Sequence, residues 1–416
     1  MGRFEPLVSA TPRRSNFVSN AELLRMMELH SLANHGPRKW TFFKGGGGLL
    51  FPTPTSAPRY LFRGQIRRHT PCFPSMYRHY KYAAKYLHQL EADDAALIVA
   101  SFAKTMLFLS EARRHPVWKW ANSAHVGLEL SEIAQHHGIP TPLIDLSASI
   151  EVALFFATHE YDEVNGFTPR IEGRGVLYIV DREGIPKSQQ GRFRSAAIQP
   201  FARPFKQWAW SCELLMGQCF EACPCLAILE FDHHPALAGA VRERAEAQGS
   251  LFPRDILATL ASAIRSMTTL PRKAITAAHK HLGPAYPEHV FGPPERLLRN
   301  AGFKIWERHE PIFSLPYWEQ NSPDLQAALD TWLSETAQNK ETILLRHNRA
   351  GKPVAIGRFK GPIITPDSIE IIRQLVPIYT GFDHAVCAGR TTSSAQGAII
   401  ATHLKLETFR VQRGQR

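Results

Sequence analysis

The stretch Gln135-His136-His137-Gly138-Ile139-Pro140-Thr141-Pro142-Leu143-Ile144-Asp145-Leu146-Ser147 joins a helix to a strand, and its residue order marks both ends. Upstream, Val126, Leu130, Ile133 and Ala134 recur at helical spacing on one face, and Gly138 is the residue type that closes a helix in the left-handed conformation. Pro140 and Pro142 keep the chain from re-entering a helix. Leu143 to Leu146 then reads as a strand, whose two-residue period turns Asp145 to the face opposite Ile144 and Leu146. Ser147 or Ser149 caps a second helix through Ala157, with Ile150, Ala153, Leu154 and Ala157 inward.

Outward from this stretch, helices and strands mix without a regular alternation. Tyr60 to Phe62 reads as a short strand, and Gly175 to Val180 and Leu226 to Phe231 as buried strands. A long helix carries Ala95, Val99, Phe102, Met106 and Leu109 on one face, with Asp93 or Asp94 as N-cap and Pro116 past its end. The expected class is α+β, a mixed sheet with flanking helices plus a smaller α+β C-terminal domain. Residues 1–58 form an N-terminal extension, with a helix over Asn20 to Asn34 and a mobile loop over Gly45 to Gly48 and Pro52 to Pro58. The main domain spans residues 59–285. The Pro- and Gly-rich segment His281 to Pro294 is the expected boundary to a domain over 295–416. That domain has helices near Asp324 to Thr336 and Ser368 to Leu375, and a hairpin pairing Thr342 to Arg346 with Pro353 to Phe359.

Composition narrows the class of partner. The 416 residues are 44% hydrophobic and 21% charged, which excludes a fibrous or wholly disordered chain, and the net charge of +12 favours anionic ligands. Six cysteines are too few for a disulfide scaffold, and the first residues lack the apolar core of a secretory signal, so the cytoplasm is the expected compartment. The apolar tract Ala95 to Leu109 is broken by Ser101, Lys104 and Thr105 and falls short of the roughly 20 residues of a membrane span, so no membrane association is expected. Cys212, Cys219, Cys223 and Cys225 cluster without paired C-x-x-C units; they read as buried thiols, and no metal is assigned.

Two segments lack acidic residues. Arg59 to Lys85 holds seven basic residues, and Pro186 to Trp210 holds Lys187, Arg192, Arg194, Arg203 and Lys206. Either could be a solvated basic face. Together with their aromatic and glycine residues they point to a phosphate-bearing ligand, because arginine pairs bidentately with phosphate and aromatic rings stack on bases.

Phe62-Arg63-Gly64, then Pro74-Ser75 and Arg78, then Gln135 to Ser147, then Ala153-Leu154-Phe155-Phe156-Ala157 resemble in order and spacing the FRG domain, named for its Phe-Arg-Gly motif. Arg203 to Trp210 and Leu251-Phe252-Pro253 extend the resemblance over roughly Tyr60 to Leu260, with departures at Pro142, Leu146, Ala209 and Trp210. The family is widespread in bacteria and phage. The resemblance implies a ligand cleft in which Arg63, Gly64, Gln135, Thr141, Asp145 and Arg203 bind a nucleotide or nucleic-acid phosphate. A looser similarity of Arg63 and Ser147-Ala148-Ser149 to ADP-ribosyltransferases implies NAD as cofactor, with His137, Ser147, Gln207 and Glu213 as catalytic candidates in a toxin or phage-defence effector. The alternative is a noncatalytic module that docks nucleic acid, with a protein partner on the C-terminal domain. For individual residues a scaffolding role competes: Arg63 salt-bridged to Asp145, His136 or His137 and the serines as helix caps, Gly64 as a turn, and Trp208 and Trp210 as core. Arg63, Asp145 and Gln207 are expected to meet in one cleft.

Overall fold

The computed structural model describes residues 14–30, 40–44, 50–54, 58–78, 86–123, 126–162, 166–196, 199–247, 249–253, 255–307, 310–322, 341–347 and 353–360. The central sheet contains β1 (Asn16–Phe17), β2 (Tyr60–Gln65), β3 (Leu143–Ser147), β4 (Arg174–Asp181), β5 (Phe193–Ser195), β6 (Ala209–Glu213) and β7 (Leu226–Asp232). Their order across the sheet is β1-β7-β4-β2-β3-β6-β5. Only β1 and β7 run parallel, so the sheet is mixed and the α+β reading holds.

Both faces of the sheet are buried. On one, Leu61, Val176, Tyr178, Ile144, Leu146 and Trp210 pack with Cys72, Phe220 and Cys223. On the other, Phe62, Leu177 and Phe231 pack against helices α1 (Asn20–Leu29), α4 (Ile150–Thr158) and α5 (Pro235–Ala245). The Ser19 hydroxyl caps α1 in a reciprocal capping box with Glu22, and the helix stops at Leu29, short of the expected Asn34.

A third core is helical and surrounds α2 (Ala92–Ala112), which packs against α3 (Leu130–His136), α6 (Ile256–Ser266), α7 (Arg272–Leu282) and α8 (Pro294–Asn300). The N-cap of α2 is Glu91, which leaves Asp93 and Asp94 in the first turn, where carboxylates suit the helix dipole. At 21 residues α2 is long and apolar enough to cross a membrane, so the length argument made from the sequence does not hold. Two-thirds of its apolar window is buried against its neighbours.

The expected domain boundary at His281 to Pro294 falls inside this core. Leu297, Leu298 and Trp318 are buried in the same cluster as Leu257 and Ile275, and Thr269–Pro271 pairs in parallel with Lys304–Trp306 across the segment. The composition of the segment signals a turn, but the apolar side chains on its far side complete the α2 core.

Pro52 and Pro54 lie in a ladder: Leu50–Pro54 pairs antiparallel with Trp40–Lys44, where a loop is expected. A two-stranded pair is all edge, which is where proline is tolerated. The C-terminal hairpin forms as Glu341–His347 against Pro353–Lys360. The expected helices at Asp324 to Thr336 and Ser368 to Leu375 lie outside the described residues.

Candidate functional site

The site is organised by a fork between β2 and β3. The two strands share one bridge, Phe62 opposite Ser147, and exchange no ladder bonds beyond it. In this gap the Arg63 guanidinium donates from Nη1 to the Asp145 carbonyl oxygen at 2.8 Å, a side chain standing where a neighbouring strand's N–H would be. The Arg63–Asp145 salt bridge weighed as the scaffolding alternative does not form: the contact is a main-chain bond, and the two side chains leave the sheet on opposite faces.

On the helix face, the residues around Gln135–Ser147 form a scaffold. Helix α3 ends in a Schellman motif: Gly138 has φ of +76°, Ile139 N–H reaches the Ala134 carbonyl and Gly138 N–H the Gln135 carbonyl. Arg203 donates to the His136 carbonyl at 3.1 Å and Arg265 to the His137 carbonyl at 3.0 Å, so two guanidinium groups close the negative end of α3. The Thr141 hydroxyl donates to the Gln135 side-chain oxygen and accepts from Leu143 N–H, while Gln135 Nε2 donates to Asp145 Oδ2 at 3.0 Å.

Gln207 joins this scaffold through His136. Its Oε1 is 2.9 Å from His136 Nδ1, and its Nε2 donates to the Leu251 carbonyl at 3.1 Å. His136 Nε2 faces Asp145 Oδ1 at 4.0 Å. Asp145 and Gln207 are linked through His136, but Arg63 reaches only the Asp145 backbone and its side chain leaves on the opposite face, so the expected single cleft of Arg63, Asp145 and Gln207 does not form. The sequence favours His137 over His136, but His137 is wholly enclosed, 3.3 Å from Asp255 and beside Phe108. Burial pulls its pKa below the ordinary value against the opposing pull of Asp255. No ligand reaches such a side chain to exchange a proton with it.

The serines are also scaffold. Ser147 Oγ donates to the Gln207 carbonyl at 2.8 Å and accepts from Ser149 N–H, and Ala148 N–H donates to the Trp208 carbonyl. These bonds hold the 207–208 turn, where Trp208 has the left-handed φ of +49° that a side chain rarely adopts. Ser149 is the N-cap of α4. Gly64 is neither a turn nor a ligand contact: a Cβ there would stand 1.7 Å from the Ala153 carbonyl oxygen, so glycine is what lets α4 lie on β2. Glu213 sits on β6, ion-paired with Arg194, away from the fork.

The opposite face is different. Tyr178 lies directly across from Arg63 in the β2–β4 ladder, and Gln65 follows Arg63 on the same side. Arg63, Gln65 and Tyr178 are all at least nine-tenths buried, yet Arg63 Nε, Gln65 Oε1 and the Tyr178 hydroxyl have no hydrogen-bond partner. His69, Cys72 and Arg78 lie close by. Burial lowers the His69 pKa, and Arg67, Arg78 and Arg63 lower it further; Arg78 is itself lowered by desolvation and by Arg63. Burial raises the Cys72 thiol, against the pull of Arg63 and Arg78. Among the described residues no carboxylate lies within ion-pair distance of Arg63 or Arg78. Glu221 is near, but it is held by Arg68 at 3.0 Å.

Most of the other basic residues are engaged. Arg59 pairs with Asp181, Arg68 with Glu221 and Glu230, and Arg194 with Glu213, while Arg192 is bound to Gln218 and Arg182 stacks on Trp210. Lys81 and Lys85 lie outside the described residues. The Pro186 to Trp210 stretch therefore spends its arginines inside the fold. The clustered thiols Cys212, Cys219, Cys223 and Cys225 form no disulfide, and among the described residues no group of three or more His, Cys, Asp or Glu side chains is placed to hold a metal.

No curated protein and no solved structure gives a significant match to the chain, and no match links it to ADP-ribosyltransferases. A sequence model of the FRG domain matches residues 58–166, short of the Arg203–Trp210 and Leu251–Pro253 segments, so the chain contains an FRG domain that carries Arg63 and the Gln135–Ser147 motif.

Proposed function

We propose that the FRG domain binds a small phosphate-bearing ligand at the Arg63 side of the fork. The observation that carries this reading is the convergence of Arg63, Arg78 and His69 with, among the described residues, no carboxylate in ion-pair reach, Asp145 acting on Arg78 only at longer range. Like charges held together cost free energy, and an anion between them removes that cost. A desolvated guanidinium with an unpaired N–H is a strong donor to a phosphate oxygen.

A binding role is favoured over NAD-consuming transfer. An ADP-ribosyl transfer needs a carboxylate beside the cationic ribose. Gln207 is neutral and bonded at both ends of its amide, and Glu213 is neutralised by Arg194. A small ligand is also favoured over nucleic acid, because so many arginines of the two acid-free segments are paired within the fold.

Calorimetric titration with inorganic phosphate, adenosine monophosphate and NAD tests the proposal. Arg63→Lys, which keeps charge but loses the planar fork, is expected to weaken binding about 10- to 100-fold. Arg78→Gln is expected to act in the same direction, and because Arg78 Nε also donates to the Phe73 carbonyl at 3.2 Å, its melting temperature is read alongside to separate lost binding from lost stability. Wild-type protein that binds none of these anions would end the proposal. Release of nicotinamide from NAD above background would turn the domain into a transferase. Binding of oligonucleotides that weakens steeply with salt would favour the nucleic-acid reading.

A further inference from the structure

We infer that anion binding at the Arg63 side of the fork is coupled to a proton, the His69 imidazole taking one up from solvent when a doubly charged oxyanion settles against it, Arg67 and Arg78. The inference rests on the proposed anion site and states how that site is regulated. It is carried by the way the segment after β2 is tied down. The Ile66 carbonyl lies 2.9 Å from His233 Nε2, and Arg68 is held by Ser15, Glu221 and Glu230. The Cys72 carbonyl accepts from Phe220 N–H at 2.9 Å, and the Phe73 carbonyl from Arg78 Nε at 3.2 Å. Between these ties Arg67 and Arg78 are exposed and His69 is half-buried. Arg67 and His69 form no side-chain hydrogen bond or ion pair among the described residues. The ring nitrogens of His69, unlike Arg63 Nε and the Tyr178 hydroxyl, are not sealed from solvent.

The three arginines set the state of the imidazole. Burial first, then Arg67 and Arg78 on its own segment and Arg63 on β2, hold its pKa below the ordinary 6.5, so near neutral pH the ring is uncharged. Among the described residues no carboxylate offsets this: Glu221 is taken by Arg68, and Asp145 acts on Arg78 at longer range. The Cys72 thiol and the Tyr178 phenol are pushed up by burial and stay neutral. Buried Arg63 acts through its field, while the solvent-facing groups make the contact. An oxyanion opposes that field at His69 and accepts from the imidazolium N–H, so the pKa of the ring rises in the complex. By linkage, affinity is greatest below the pKa of the free protein and falls to a lower plateau as pH rises past that of the complex.

Calorimetric titration of the full chain with sulfate, which stays doubly charged between about pH 5 and 8, where histidine titrates, decides the matter. Wild-type affinity is expected to rise about tenfold from the alkaline to the acid limit, the factor that one pK unit represents. Proton uptake, read from the dependence of the heat on buffer ionisation, should accompany it between those limits. His69→Gln should abolish both effects, and His69→Lys should restore tight binding without the pH dependence, melting curves showing that each variant folds. The titration midpoint of the His69 ring protons in the wild type, followed by NMR, should climb when sulfate is added and needs no substitution. Sulfate affinity that is flat in pH, an acid-side gain that persists in His69→Gln, or a midpoint that sulfate does not move overturns the inference and leaves the anion site standing. Failure to bind either sulfate or phosphate at any pH removes both.

Discussion

The two faces of the sheet at the β2–β3 fork both carry buried polar side chains but bond them to different extents. On the helix face Thr141, Gln135, Asp145, His136, Gln207 and Ser147 bond to one another or to each other's backbone, but Asp145 Oδ1, His136 Nε2 and both His137 ring nitrogens have no hydrogen-bond partner, His136 facing Asp145 and His137 facing Asp255 at longer range. On the other face Arg63 Nε, Gln65 Oε1 and the Tyr178 hydroxyl have no hydrogen-bond partner, although Arg63 Nη1 donates to the Asp145 carbonyl. A buried polar network that satisfies itself is a device for shape, whereas buried polar atoms aimed at no protein partner mark a place where something else is bound. The most recognisable motif of the chain is thus mainly framework.

The sharpest break of this contrast is Gly64→Ala. The new Cβ would meet the Ala153 carbonyl of α4, a backbone atom that can yield only by moving the helix. A loss of more than about 4 kcal/mol in chemical denaturation is expected; a stable variant would show that α4 has room to shift.

Glu132 is another incompletely bonded group on the helix face. It is fully buried, its Oε1 accepts from Ser211, its Oε2 has no partner, and Arg194 is 3.8 Å away. Burial first, then Glu129, raises its pKa to about 7 from an ordinary 4.5, with Arg194 opposing. Between these values the folded state holds a proton that the unfolded state has lost, so this contribution to stability is present below about pH 4.5 and declines as pH rises through about 7. Glu132→Gln mimics the protonated form. It should flatten that decline and stabilise the protein above pH 7 by up to about 3 kcal/mol. Parallel curves of denaturation midpoint against pH for the two proteins would contradict the assignment.

Ser147→Ala strands the Gln207 carbonyl and the Ser149 N–H together. The expected cost is about 1 to 3 kcal/mol, read from denaturant midpoints. If Ser147 braced a ligand rather than the 207–208 turn, stability would hold and binding would fall.

The smallest effect belongs to the opposite face. Tyr178→Phe removes a hydroxyl that bonds to nothing in the fold and should change stability by less than about 1 kcal/mol in either direction. A loss as large as that of Ser147→Ala would mean the two faces are built alike.

Much of the fold was legible in local chemistry. Gly138 with Pro140 ends α3, Ser149 caps α4, and alternation across Ile144, Asp145 and Leu146 sets the two faces of β3, because helix stops, caps and strand parity depend on residues a few positions apart. The same reasoning found Arg63 and linked Asp145 to Gln207. It preferred His137 to His136, since both end one helix and only the packing of Asp255, more than 100 residues later, shows that the second is enclosed. Nor could composition reveal that His281 to Pro294 lies within a core, or that Gly64 serves the close approach of α4.

What the sequence determined by itself was the type and order of the elements around Gln135–Ala157 and the excess of positive charge. What tertiary structure alone decided was which polar atoms are spent. A guanidinium is the same in either setting, and its partners, as with Arg68 at Glu221 or Arg203 at the His136 carbonyl, come from remote parts of the chain. Only after folding has assigned those partners do Arg63, Gln65 and Tyr178 stand out as atoms still lacking one, because hydrogen bonding is a short-range, three-dimensional constraint that sequence separation does not encode.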